Sequence, residues 1–328
     1  MNTQNMTLAE TLTRYDAVLD ALQVGADKPE RWYAFLLPRR RPGAGYIAIT
    51  ATSLLGIEGD PEGLAQALFD RHAALNDLVK GYSAPRNWVD GALTVRFGVD
   101  PGRYAKLIEN RRFSRDAAMA LTLLSHERAL PSEQTESIFK AIKPFLLNSV
   151  NGLEGALWTY SAAHALRGER AETVRTLLAR ARSVFESHRQ AKSAAKLGAY
   201  VSAGLNLEPG AVLKRFVPLY EQRKQNSALK RFSRDQLLVL AALGVGIEHA
   251  SEFAQCAEAV QRSPGLNKAS RAMLSWLLWI QFKGEASGLS VDQIRLAFIA
   301  CTLSTSVAVT AMSQGGGGGD GGGDGGGE

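Results

Sequence analysis

Apolar residues recur at helical spacing along the whole chain, in two kinds of stretch that alternate. The first kind is short and apolar on most sides: YIAITATSLLGI from Tyr46, WVDGALTVRF from Trp88, DAAMALTLL from Asp116, EGALWTYSAAHAL from Glu154, SAAKLGAYVSAGL from Ser193, QLLVLAAL from Gln236 and SRAMLSWLLWIQF from Ser270. A helix without a polar face must be buried between neighbours. The second kind is amphipathic. Leu64, Leu68, Leu75 and Leu78 form one such face, and Val174, Leu177, Leu178, Ala181 and Phe185 another. Turns of similar chemistry separate the two kinds: GDPEGLA, GVDPGRYA, ALPSEQT, RGERAET and LEPGAVL. Proline at the first helical position sacrifices no hydrogen bond, and Asp60 and Asp100, each preceding a proline, are expected as N-caps.

The pentapeptide RFSRD occurs twice, at 112–116 and 231–235. Each copy leads into an apolar helical stretch, so Ser114 and Ser233 are predicted N-caps, with Asp116 and Asp235 favouring the positive helix end. In the second copy Gln236 completes a capping box, and Phe113 and Phe232 can staple onto the first turn. Prolines inside two second helices, Pro144 and Pro218, are expected to kink them. Helix pairs recurring at roughly 40 residues are the signature of an α-solenoid. The predicted fold is therefore all-α: an elongated or gently curved array of about seven αα-hairpin repeats forming one domain over 1–314. A helix and a basic loop, PRRRPG, precede the array within residues 1–45.

The units RFSRDAAMALTLL and KRFSRDQLLVLAALG, with the GDPE-type turn, resemble those of a bacterial family of all-helical proteins known only as a domain of unknown function. The resemblance spans Arg14 to Ser304. It implies helical repeats and carries over no catalytic residue.

Beyond the array, residues 315–328 read GGGGGDGGGDGGGE, with Asp320, Asp324 and Glu328 as the only side chains that carry charge. Such a segment has nothing to bury and is expected to be disordered. The stretch 296–312, LAFIACTLSTSVAVTAM, is uncharged but rich in Ser and Thr, and is expected to pack on the body instead of meeting a membrane. Two cysteines, Cys256 and Cys301, lie in apolar helices without a ligand spacing, and the amino terminus has no signal-peptide pattern. Both features suggest a cytoplasmic protein.

Candidate chemistry is sparse. The five histidines (His72, His126, His164, His188 and His249) stand in no HExxH or HxxxH pair, and no nucleophile elbow, P-loop or dinucleotide fingerprint is present. No cofactor or metal is therefore expected. Charge is the uneven property. Residues 166–234 hold 15 basic and 5 acidic side chains, whereas the rest of the chain is balanced or acidic. Arg175, Arg182 and Arg189 are seven apart and predicted along one side of a helix, extended by Lys192 and Lys196; Lys214, Arg215, Arg223 and Lys224 belong to the next outer helix. Merged, they would form a docking surface for something anionic. The expected function is a non-enzymatic scaffold or adaptor with a protein partner. The alternatives are nucleic-acid or other polyanion binding through this surface, and an enzyme with an unrecognised helical site.

Overall fold

The chain enters its first helix, α1 (Leu8–Ala26), through Thr7. The Thr7 hydroxyl accepts from the Glu10 amide while the Glu10 carboxylate accepts from the Thr7 amide, so two orphan donors are satisfied at once. This is a computed structural model, and it describes residues 6–27, 33–34, 37–38, 43–78, 87–109, 115–125, 133–147, 154–227, 229–263, 266–283 and 287–315. Fourteen further α-helices follow among the described residues: α2 (Ala44–Leu54), α3 (Pro61–Leu78), α4 (Asn87–Arg96), α5 (Pro101–Glu109), α6 (Arg115–Leu124), α7 (Glu133–Leu147), α8 (Glu154–Leu166), α9 (Ala171–Glu186), α10 (Ala195–Gly204), α11 (Pro209–Gln222), α12 (Arg234–Ala242), α13 (Ala250–Gln261), α14 (Lys268–Lys283) and α15 (Val291–Gly315). The fold is all-α. The sole extended element among the described residues is an antiparallel pair of two-residue strands, β1 (Tyr33–Ala34) and β2 (Leu37–Pro38).

The two kinds of sequence stretch become two kinds of helix. Residues 45–54 of α2, 117–123 of α6, 197–204 of α10 and 236–242 of α12 are buried on every side, as their lack of a polar face requires. The helices between them bury one face: Leu64, Ala65, Leu68, His72 and Leu75 on α3; Val174, Ala181 and Phe185 on α9. Two predicted members of these faces do not belong. Leu78 is 45 % exposed at the end of α3 and Leu177 is 36 % exposed on α9, because each lies off the arc that meets the neighbouring helices.

The caps follow local chemistry. Asp60 Oδ1 accepts from the Gly63 amide at 2.8 Å and Asp100 Oδ1 from the Gly102 amide at 3.0 Å. At Ser233 the predicted box is complete: its hydroxyl accepts from the Gln236 amide at 3.2 Å, and the Gln236 side chain accepts from the Ser233 amide at 2.8 Å. Phe232 is buried before it and packs on Phe253. Ser114 and Phe113 of the first pentapeptide lie outside the described residues. The carboxyl ends of α4, α8, α10 and α12 share one motif that the sequence reading did not identify. Gly98, Gly168, Asn206 and Gly244 each take positive φ. The next amide then reaches back five residues, from Val99 to Thr94, Glu169 to His164, Leu207 to Ser202 and Val245 to Leu240.

The all-round-buried helices run parallel. Arg96 at the end of α4 donates to the Ser53 carbonyl at the end of α2 and to Gln281 near the end of α14. Arg167 after α8 donates to the Gly204 carbonyl that ends α10. At the opposite ends, Arg234 at the start of α12 donates to Ser193, just before α10, and Gln236 donates to the Lys268 carbonyl at the start of α14. Each touches the next, α2–α4–α6–α8–α10–α12–α14, and α14 returns to α2.

The expected array, elongated or gently curved, instead closes on itself. Its first helix, α1, packs on α13 and α14 as well as on α2 and α3. Tyr15 on α1 shares a buried 2.9 Å hydrogen bond with Ser263, just past α13. The physical reason is that a terminal hairpin of an open array needs a polar outer face. Here α14 buries Trp276 and Trp279 toward the end of α12 and the start of α13, and it also packs on α1 and α2, so no outer face is left to be polar.

The last helix, α15, lies inside the ring against α2, α4, α6, α8 and α14. It runs antiparallel to them. Near its start Gln293 donates to the Leu205 and Asn206 carbonyls after α10, and Arg295 to the Leu123 carbonyl of α6; farther on, Ser304 Oγ accepts from the Ala156 amide at the start of α8. Residues 296–306 are buried, which places this stretch in the body. No single helix among the described residues is long and apolar enough to cross a membrane.

Candidate anion-docking surface

The basic segment 166–234 maps to α9, α10, α11 and the entry to α12, and the structure divides its candidate residues. Arg175 and Arg182 are exposed on α9, but each meets an acid of its own helix: Arg175 pairs with Glu172 at 3.4 Å and Arg182 with Glu186 at 2.7 Å. The predicted stripe does not continue, because α9 stops at Glu186 and Arg189 stands in the following turn, exposed. Lys192 lies in a 3-10 turn (Lys192–Ala194) and Lys196 in the first turn of α10, both exposed. Lys214 is exposed on α11. Arg215 is half-buried beside it; burial pushes its guanidinium pKa down and the Glu248 carboxylate opposes that. Arg223 caps the end of α11 and Lys224 follows it, roughly 13 Å farther along the axis than Lys214 and Arg215.

A tighter cluster forms where α11 ends and α10 and α12 begin. Arg234, the second arginine of the repeated pentapeptide, donates to the Tyr220 hydroxyl at 2.6 Å and to Ser193 Oγ. Its guanidinium lies 4.9 Å from the centre of the Tyr220 ring, and that of Arg223 lies 5.8 Å from the same ring. Phe216 stacks on Tyr220 at 5.6 Å. The hydrogen bond from Arg234, joined by the charges of Arg234, Arg223 and Lys224, holds the Tyr220 phenol below its usual pKa of 10.0. A lowered phenol reports positive potential at that point.

The surroundings add to this potential. Residues 187–234 hold ten basic side chains and two acidic ones, Glu208 and Glu221. Glu221 accepts from Gln190 at 3.2 Å, and Arg231 stands 4.0 Å from Glu258. The amino ends of α10 and α12 point to the same rim and contribute their partial positive charge.

The structure thus brings together Lys192, Lys196, Arg223 and Lys224, with Arg189 in the turn that Gln190 ties to Glu221, sets Arg175, Arg182, Lys214 and Arg215 apart, and adds Arg234 and Tyr220. Both additions have a sequence signal: Arg234 is inside RFSRD, and Tyr220 immediately precedes the string EQRK.

The other titratable cluster is internal. His164 is buried at the end of α8, 2.6 Å from Glu169, and Arg167 reaches the same carboxylate at 2.6 Å. Burial alone would raise the Glu169 pKa, but the hydrogen bonds from His164 and Arg167, with their charges, hold it at about 2. These groups fasten the turn between α8 and α9. Among the described residues no three His, Cys, Asp or Glu side chains converge as a metal site would require. In comparison with known proteins, no family model, no curated protein and no solved structure matches this chain.

Proposed function

We propose that the chain is a non-enzymatic docking scaffold of seven helical hairpins whose basic rim takes an acidic segment of a protein partner. The observation that carries this reading is the gathering of Arg223, Lys224 and Arg234 around Tyr220, which Arg234 hydrogen-bonds while also reaching Ser193 beside Lys192 and Lys196. The repeat reading is supported by the shared carboxyl-end motif, whose positive-φ residues at 168, 206 and 244 are equally spaced. A cytoplasmic setting fits the two unpaired cysteines.

Two features favour an acidic peptide over a nucleic acid. The one aromatic in the cluster has Phe216 stacked on it and two guanidinium groups beside it, so its ring is engaged before any base could stack. The cations also gather at one rim, interrupted by Glu221 and Asp235, whereas a strand-binding groove tracks a backbone continuously.

The test is fluorescence anisotropy with a labelled Glu-rich peptide and a labelled single-stranded oligonucleotide, over a range of salt. The peptide should bind, and the double reversal Arg223→Glu with Lys224→Glu should weaken it about tenfold, the loss of roughly 1.4 kcal/mol. Circular dichroism should be unchanged, since Lys224 is exposed and Arg223 half-buried at a helix end. Tighter oligonucleotide binding with a steep salt slope would instead favour nucleic acid. Absence of binding to both probes would overturn the docking reading.

A further inference from the structure

The direction of α15 gives the basic rim a second candidate ligand within the chain. Ser304 on α15 is level with the amino end of α8, where its hydroxyl meets the Ala156 amide. The helix then continues to Gly315, another eleven residues and about 16 Å, toward the end of the ring at which α8, α10 and α12 begin. That is the end carrying Lys192, Lys196, Arg223, Lys224 and Arg234. Residues 316–328 follow, and they include Asp320, Asp324 and Glu328 at a spacing of four with glycine between them.

Reach and charge both fit. Thirteen residues span up to roughly 40 Å when extended. From α15 the rim is two helix spacings away, by way of α8 and α10, or about 20 Å laterally. The tail carries three negative charges and no positive one, and the rim carries the reverse excess. Glycine lets the backbone lie close to a surface without side-chain clash, at the cost of backbone entropy.

We propose that Asp320, Asp324 and Glu328 dock in cis on the basic rim and compete with an acidic partner for it. This rests on the docking reading above, since a tail that masks the rim matters only if the rim binds something. A glycine-rich tether gives an effective concentration in the millimolar range. A tail contact with a dissociation constant near 1 mM would then mask the rim about threefold.

Two measurements on the full chain test this. The first is zero-length carbodiimide cross-linking at dilute concentration, reading the monomer band by mass spectrometry. Tail carboxylates should join Lys192, Lys196, Lys224 or Lys230, the last exposed four residues before Arg234, and about 1 M salt should abolish these links, because screening shortens the range to roughly 3 Å. The Lys140–Glu136 pair, 2.6 Å apart, is the internal positive control. Control links without tail links, or tail links spread over lysines elsewhere, would overturn the proposal.

The second is the variant Asp320→Asn, Asp324→Asn, Glu328→Gln, titrated with the Glu-rich peptide. Its affinity should rise about threefold with no change in melting temperature. Equal affinity in both proteins would overturn tail docking and leave the docking surface standing. If neither protein binds the peptide, the docking reading fails, and the cross-links alone then decide where the tail lies.

Discussion

At the scale of single residues, charge in this protein is used for fastening as well as for display. Arg14 holds the Ile57 and Gly59 carbonyls after α2, Arg71 the Val99 carbonyl, Arg103 the Ser125 carbonyl and Arg167 the Gly204 carbonyl. Arg103 and Arg167 supply a cationic donor to the carboxyl end of a buried helix, where orphan carbonyls and the helix dipole both favour it, whereas Arg14 and Arg71 fasten the turns that follow α2 and α4. The His164–Arg167–Glu169 network makes a pH prediction. The Glu169 carboxyl is held at about 2 in the folded chain against a usual 4.5. The unfolded chain therefore takes up this proton first, and the stability it contributes is complete above pH 4.5 and lost as pH falls toward 2. Burial also lowers the His164 pKa from 6.5, so its contribution weakens in the same direction below pH 6.5. Glu169→Gln should be less stable than the parent at pH 7, with the gap closing between pH 4.5 and 2 in urea unfolding. A gap that stays constant over that range would contradict the assigned pKa.

At the scale of elements, much was legible because it is local. Asp60, Asp100 and Ser233 cap the helices that their position before a proline or an apolar stretch predicted, and the helices apolar all round are the buried ones. What was missed locally, the carboxyl-end motif, had a signal in Gly98, Gly168, Asn206 and Gly244 just past each apolar stretch. Glycine and asparagine are the residues that tolerate positive φ at that place. The predicted arginine stripe failed because seven-residue spacing implies one helix face only while the helix lasts, and α9 ends before Arg189. The carboxyl ends yield a graded prediction. Gly168 has φ of +73° with open space around it, so Gly168→Ala should cost about 1–2 kcal/mol from backbone conformation alone. Gly244 has φ of +87° and a methyl group there would stand 2.3 Å from the Ser287 carbonyl oxygen. Gly244→Ala should therefore be clearly the worse of the two in equilibrium unfolding; equal losses would mean that the approach of Ser287 is not a packed contact.

At the scale of the whole molecule, the decisive feature is closure, and it was not legible. Periodicity reports what each hairpin buries against its neighbours, whereas closure depends on Tyr15 meeting Ser263 across 248 positions of sequence. Closure also gives the proposed docking its geometry: α15 lies inside the ring, and its exit and the basic rim are at the same end. The measurement that tests it directly is the distance between nitroxide labels on Thr13→Cys and Arg262→Cys, by double electron–electron resonance. Both positions are exposed, while native Cys256 and Cys301 are buried, with the Cys256 thiol pushed up to about 12, so labelling is selective. Each label stands within two residues of the Tyr15–Ser263 hydrogen bond, so the closed ring predicts a narrow distribution at roughly 30 Å or less. An open stack of hairpins spaced 8–10 Å apart would hold these labels roughly 50 Å apart or more, and a distribution centred there would contradict the ring and everything built on it.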